Sequence, residues 1–269
     1  RSTRKESSAA SDVYKRQLLS SCGSVPLTGR KQVLLVSDQE VLSSSLTQYS
    51  DYMKSAKKSS SKDGAAMVTR VGKKIAAATE QYLRNNGLES EIKNFAWEFN
   101  LVNDPQVNAF CMPGGKIVVY EGLMQLVSSD DELAVVVGHE VAHAVAKHSN
   151  ERMSQQLMAQ YGAQILGQAL SNKSTAVQKI GASVYGLGAQ YGVMLPFSRK
   201  HESEADYMGL VFMAMAGYNP AVAVNFWQKM SAGKSGSTPE FMSTHPSDAT
   251  RINEIKQHLP EIEKYRVKK

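Results

Sequence analysis

Residues 138–143 read Gly138-His139-Glu140-Val141-Ala142-His143, and this stretch decides the fold. On an α-helix, positions four apart share a face, so His139 and His143 can reach one point in space. Glu140 lies beside that point, where a carboxylate can take a proton from water activated by a metal ion. The flanks supply a helix with readable ends. Ser129 stands as N-cap with Glu132 three residues on, and Asp130, Asp131 and Glu132 sit at the positive end of the helix dipole. Leu133, Val136, Val137, Val141, Ala144 and Val145 then follow as in a buried helix. Burying His-Glu-His without compensation is costly, and a bound metal ion removes that cost.

A catalytic zinc ion takes three protein ligands and keeps one position for water. Outside the motif the histidines are His148, His201, His245 and His258. The metzincin spacing fails, because Ala146 and Ser149 stand where that pattern needs Gly and His. His148, five residues past His143, is turned off the ligand face and reads as a surface histidine. Downstream, Ser198-Arg199-Lys200-His201-Glu202-Ser203-Glu204-Ala205-Asp206 opens a second helix that ends at Gly217-Tyr218-Asn219-Pro220. Glu202 and Asp206 share one face of it, while Glu204 points elsewhere. Taken alone, this is a solvated acidic face. Paired with the upstream motif, it gives one Zn²⁺ held by His139, His143 and Glu202, with Asp206 accepting a hydrogen bond from the other nitrogen of a ligand histidine.

Four blocks in order resemble the gluzincin-type metallopeptidases of the CAAX prenyl endopeptidase, HtpX, BepA and LoiP family. They are Asn108 to Gly115 with the strand after it, the His-Glu-x-x-His helix, the Glu202/Asp206 helix, and Thr244-His245-Pro246 with Arg251. The resemblance spans roughly residues 100 to 255, and the ordered set is more specific than any one block. It implies a zinc metalloendopeptidase with an α+β, mainly α, zincin-like fold and a small mixed or antiparallel sheet. His139, His143 and Glu202 become its metal ligands and Glu140 its general base. It also implies a place for His245 near the metal, either restraining the site or stabilising an oxyanion; a structural histidine at a helix start is the other reading. Arg251 reads as a packing or ion-pair residue.

Phe95, Trp97, Phe99 and Leu101 alternate with polar residues, the period of a half-buried strand. Val107 to Cys111 forms a second strand, turning at Pro113-Gly114-Gly115 into a third that carries Lys116, Ile117, Val118 and Val119. In zincins the strand before the catalytic helix is commonly a sheet edge, which nominates these four residues to pair with unfolded or extended polypeptide substrate. An ordinary core hairpin is the plainer reading.

Ser37-Asp38-Gln39-Glu40 is a capping box opening a helix through Val41, Leu42, Leu46, Tyr49 and Met53, and a second helix runs near Ala65 to Arg84. Residues 154–198 are rich in Gln, Gly, Ala and Met; their polar and Gly content argues against a membrane span and favours helices covering the site or a partner face. Ser231 to Pro239 reads as a flap. The 269 residues, 42% hydrophobic, suffice for one core, so residues 37–269 are assigned to a single metallopeptidase domain.

Leu19-Ser20-Ser21-Cys22 resembles a bacterial lipobox. Residues 1–21 therefore read as a truncated or foreign leader and 22–36 as a lipoprotein linker, with membrane contact only through a lipid anchor at Cys22. An unmodified thiol in a loose tail is the alternative. This predicts a lipoprotein of the outer membrane, facing the periplasm. The net charge of +6 is half contributed by residues 1–21, and no basic cluster with interleaved aromatics suggests nucleic acid. Cys111 is the other cysteine, so no disulfide framework is indicated. The expected activity is hydrolysis of misfolded or unassembled envelope proteins. The competing expectation is a periplasmic chaperone or outer-membrane protein assembly factor with latent proteolysis.

Overall fold

The computed structural model describes residues 22–158, 198–232, 240–245 and 249–267. Its first helices follow their caps. The Ser37 side chain accepts from the Glu40 N–H and Glu40 answers with its carboxylate, opening α1 (Asp38–Ser55). Ser61 caps α2 (Lys62–Asn85), which stops where Gly87 takes a left-handed φ of 71°.

The sheet pairs β3 (Glu98–Val102), β4 (Ala109–Met112) and β5 (Lys116–Tyr120). Gly114 and Gly115 turn β4 back into β5 with φ of 91° and 78°, a conformation open to glycine and strained for other residues. Phe95 and Trp97 precede the strand expected to contain them, and they stack at 4.6 Å between ring centroids.

The order is β3-β5-β4, with β5 parallel to β3 and antiparallel to β4. This corrects the expectation that Lys116, Ile117, Val118 and Val119 form a free edge. Both sides of β5 are hydrogen-bonded and all five of its residues are buried, because the chain crosses from β3 to the far strand β4 and turns back as β5 into the space between them. β4 is the strand nearest the motif helix on the outer side.

That helix, α3 (Asp130–Val145), lies at the centre of the core. Ser129 accepts from the Glu132 N–H, as expected, while the Glu132 carboxylate reaches one residue further back, to the Ser128 N–H. Leu133 through Val137, Val141 and Ala142 are buried around the whole circumference, which explains why its apolar pattern is broader than one stripe. After a break at Ala146 and Lys147, residues 148–158 are again helical.

Four more helices close around α3: α4 (Arg199–Met215), α5 (Val222–Ala232), α6 (Glu240–Thr244) and α7 (Ala249–Ile262). Gly217 ends α4 at φ 86°, with the Tyr218 N–H returning to the Met213 carbonyl. The described chain is mostly helical with small sheets, in keeping with the expected class.

Residues 22–36 do not behave as a linker. β1 (Cys22–Ser24) pairs antiparallel with β2 (Lys31–Val33), and Val25, Gln32 and Val36 are buried. Apolar side chains spaced through this segment find core to cover, and that holds it down. The flap expected at 231–239 and the Gln/Gly-rich stretch lie largely outside the described residues, as do residues 1–21. Among the described residues no helix is long and apolar enough to cross a membrane.

Candidate metal centre

Helix α3 presents His139 and His143 one turn apart, with their Nε2 atoms 3.0 Å from each other. α4 crosses it and brings up Glu202, whose Oε1 is 3.4 Å from His143 Nε2 and whose Oε2 is 3.4 Å from His139 Nε2. His245, just past α6, places Nδ1 3.2 Å from both His139 Nε2 and Glu202 Oε1. One donor atom from each of these four residues lies within 4.8 Å of the others, and all four side chains are buried.

The donor set fits a metal ion. Buried Glu202 Oε2 accepts no hydrogen bond, and neither does Glu140 Oε1. Their close neighbours among the described residues are other charged or titratable side chains, Arg251 and His139 at Glu202 Oε2 and His245 at Glu140 Oε1, at 3.2–3.5 Å and without hydrogen-bond geometry. Buried carboxylate oxygens are seldom left so poorly bonded, and a cation among the donors would satisfy them. Imidazole nitrogens with one carboxylate are the chemistry of a borderline-soft divalent cation.

Around the donors stands a second layer. His139 Nδ1 is 2.9 Å from Asp206 Oδ1, and Arg251 grips the same carboxylate through Nε at 2.5 Å and Nη2 at 2.8 Å. The Arg251 guanidinium lies 4.1 Å over the Trp227 ring, and its Nη1 is 3.2 Å from Glu202 Oε2. Arg251 is thus the ion-pair residue expected, set at the back of the site. Phe241 stacks on His245 at 4.3 Å, so apolar surface walls the cluster.

Burial opposes charge on each of these groups; neighbours outweigh it at His139 and Glu202, and it prevails at His143 and Glu140. For His139, burial works against the cation, yet Asp206 and Glu202 raise it to about 9. Burial takes His143 well below its ordinary range. Glu202 is held well below the usual carboxylate range although burial opposes this, because His245 and His139 face it. Burial raises Glu140, whose Oε2 accepts the Cys111 N–H at 2.9 Å from the outer side of β4, and whose Oε1 is 3.5 Å from His245 Nε2.

His148 is not the surface histidine expected. It is wholly buried, with Nδ1 2.9 Å from His143 Nδ1 and Nε2 3.0 Å from Glu204 Oε2. Burial, only partly opposed by Glu204, lowers it to about 4, which keeps the ring neutral. Helical spacing turned it off the ligand face correctly, but the break at Ala146 and Lys147, where Lys147 has φ 57°, swings it behind His143. No pattern in the sequence signals that break. The Cys111 N–H contact was also missed, since a backbone donor leaves no trace in residue type.

The His-Glu-x-x-His helix thus carries two members of a buried donor group that could hold a metal ion. A model of Peptidase family M48 matches residues 69–259, and the chain belongs to that family. It is 36% identical over 205 residues to mitochondrial metalloendopeptidase OMA1 of Schizosaccharomyces pombe, covering 73% of this chain and 53% of that protein. It is 40% identical over 168 residues to OMA1 of Arabidopsis thaliana, covering 62% and 33%. It is 33% identical over 174 residues to the beta-barrel assembly-enhancing protease of Yersinia pestis, covering 60% and 36%. The chain thus spans between a third and about half of the length of these relatives. Family membership and the OMA1 likeness support an enzyme of the metalloendopeptidase class.

The same comparisons correct the expected location. The placement as an outer-membrane lipoprotein at the periplasmic face rested on the four residues Leu19 to Cys22. OMA1 relatives from yeasts, a plant and vertebrates carry a mitochondrial name, which overturns it. Four residues at the edge of a polar leader are a weaker signal than likeness across the folded part.

Proposed function

We propose that this chain is a zinc metalloendopeptidase that hydrolyses peptide bonds in extended polypeptide, with His139, His143 and Glu202 holding one Zn²⁺ and Glu140 as general base. The observation that carries the reading is the convergence of these buried donors with a carboxylate, Glu140, whose Oε1 accepts no hydrogen bond. When bound, zinc supplies Lewis acidity to a water molecule and to the scissile carbonyl.

The chain's own residues do the rest. Asp206, fixed by Arg251, accepts a hydrogen bond from His139 Nδ1–H and leaves Nε2 turned inward. The Cys111 N–H holds Glu140 Oε2, so Oε1 is the atom that receives a proton from water and passes it to the leaving amine. Burial raises the affinity of Glu140 for that proton. An extended substrate has its place along the outer side of β4, next to Glu140, since β5 has no free edge.

His245 stands among the donors themselves, and we read it as a restraint on the site that must withdraw before substrate enters. The setting supported by the OMA1 likeness is mitochondrial. The relatives named above are proteases by name, and no observation favours an assembly factor over an enzyme. The test is zinc content together with cleavage of unfolded casein by the parent and by Glu140→Gln. Zinc retained with cleavage lost in the variant supports the reading; full cleavage by the variant overturns it.

A further inference from the structure

Behind His143 lies a polar cluster that the reaction above does not use, buried at His148, Glu204 and Glu151 and reaching the surface at Arg30 and Thr28. Glu204 Oε2 is 3.0 Å from His148 Nε2 and 2.6 Å from Arg30 Nε, while Thr28 donates to Glu204 Oε1 at 2.5 Å. Arg30 also grips Glu151 with Nη1 at 2.9 Å and Nη2 at 2.7 Å. Thr28 and Arg30 come from the turn between β1 and β2, upstream of the stretch matched by the family model.

Proton bookkeeping along this cluster has one economical solution. The Glu204 carboxylate can only accept, so His148 donates from Nε2 and its Nδ1 is left as an acceptor. His143 must then donate from Nδ1 to His148 Nδ1, across 2.9 Å. That leaves the lone pair of His143 on Nε2, the atom 3.0 Å from His139 Nε2 and 3.4 Å from Glu202 Oε1. His139 is supported in the same manner, with Nδ1 donating to Asp206, itself held by Arg251. The two histidines therefore have parallel supports, each ending in a carboxylate clamped by an arginine, with an extra imidazole inserted on the His143 side.

We infer that His148 is a positioning residue for His143, fixing its tautomer and ring orientation, and that Arg30 and Thr28 of the β1–β2 turn make this upstream hairpin part of the metal site by anchoring Glu204. This rests on the zinc reading above. A filler of volume behind His143 would need no acceptor at His148 Nδ1, and that difference is measurable.

The experiment compares His148→Asn, whose side-chain amide oxygen can stand near the position of Nδ1, with His148→Leu, which fills space and accepts nothing. Zinc affinity is measured by competition with a chromophoric chelator, and the unfolding midpoint of the metal-free protein is followed alongside. His148→Leu is expected to weaken zinc binding about ten- to hundredfold, and His148→Asn to stay within about threefold of the parent. Equal affinity of parent and His148→Leu, or equal loss in both variants, overturns the inference. Should His148→Leu not fold, Arg30→Lys decides in its place, since one ammonium cannot hold both Glu151 and Glu204 as the fork does. A loss of at least about threefold supports the inference and an unchanged affinity overturns it. A parent protein that binds no zinc would instead sink the metal reading, a result distinct from any of these.

Discussion

Gly138 and Gly209 touch backbone to backbone where α3 and α4 cross. A Cβ on Gly138 would stand 2.7 Å from the Gly209 carbonyl oxygen, and one on Gly209 would stand 2.7 Å from the Gly138 carbonyl carbon. Gly138 immediately precedes His139, so this contact sets how closely the helix bearing Glu202 approaches the helix bearing the two histidines. Backbone cannot rotate away as a side chain can, so one added methyl must push the helices apart. Gly209→Ala is expected to destabilise the protein by about 1–3 kcal/mol and to weaken zinc binding at the same time. Thermal unfolding with and without zinc checks both; an unchanged midpoint and unchanged affinity would contradict the role of this crossing.

Glu140→Gln keeps the volume of the side chain and its hydrogen bond from the Cys111 N–H, and removes the ability to take a proton. Casein cleavage should fall by about 10²–10⁴-fold with zinc content unchanged.

Asp206→Asn leaves His139 without its carboxylate and Arg251 without its main ion pair. Zinc affinity is expected to drop about ten- to hundredfold, read by chelator competition. Glu202→Ala should remove zinc binding more completely than this.

His245→Ala should raise cleavage of unfolded casein if the imidazole restrains the site, because its Nδ1 stands 3.2 Å from Glu202 Oε1 and from His139 Nε2. A fall in kcat with zinc retained would instead assign His245 to oxyanion stabilisation.

Acid sensitivity has a contributor in Glu151. Burial alone would raise its pKa, but hydrogen bonds to His201 and Arg30 outweigh it and bring the value to about 2. A carboxylate lowered in the folded state adds stability that is fully present above its ordinary value of 4.5 and is lost as pH falls toward about 2. Glu151→Gln should therefore lower stability at neutral pH and flatten its pH dependence across that window, as followed by denaturant unfolding at a series of pH values. Parallel profiles for parent and variant would rule this out.

Much of the helical skeleton was legible because caps and stops are local. Ser37 with Glu40, Ser129 with Glu132, and Gly217 after α4 each act within a turn or two, and the structure shows each at work. The order of the sheet was not legible. Lys116 to Val119 look alike whether at an edge or in the middle, since a short apolar run does not say how many neighbours it has. The β1–β2 hairpin was hidden for a related reason: a segment of mixed polarity reads as linker until the surface that accepts Val25 and Arg30 is known.

By itself the sequence determined a helix carrying His139, Glu140 and His143, a second carrying Glu202 and Asp206, and the chemistry that such side chains can share. Spacing along one helix suffices for that, because a helix converts sequence separation directly into direction. Only the tertiary structure decided that Glu202 and His245 meet the two histidines, that Arg251 stands behind Asp206, and that His148 stands behind His143. These are contacts between elements, set by a glycine-to-glycine crossing and a two-residue helix break, and no local periodicity encodes the distance between two helices.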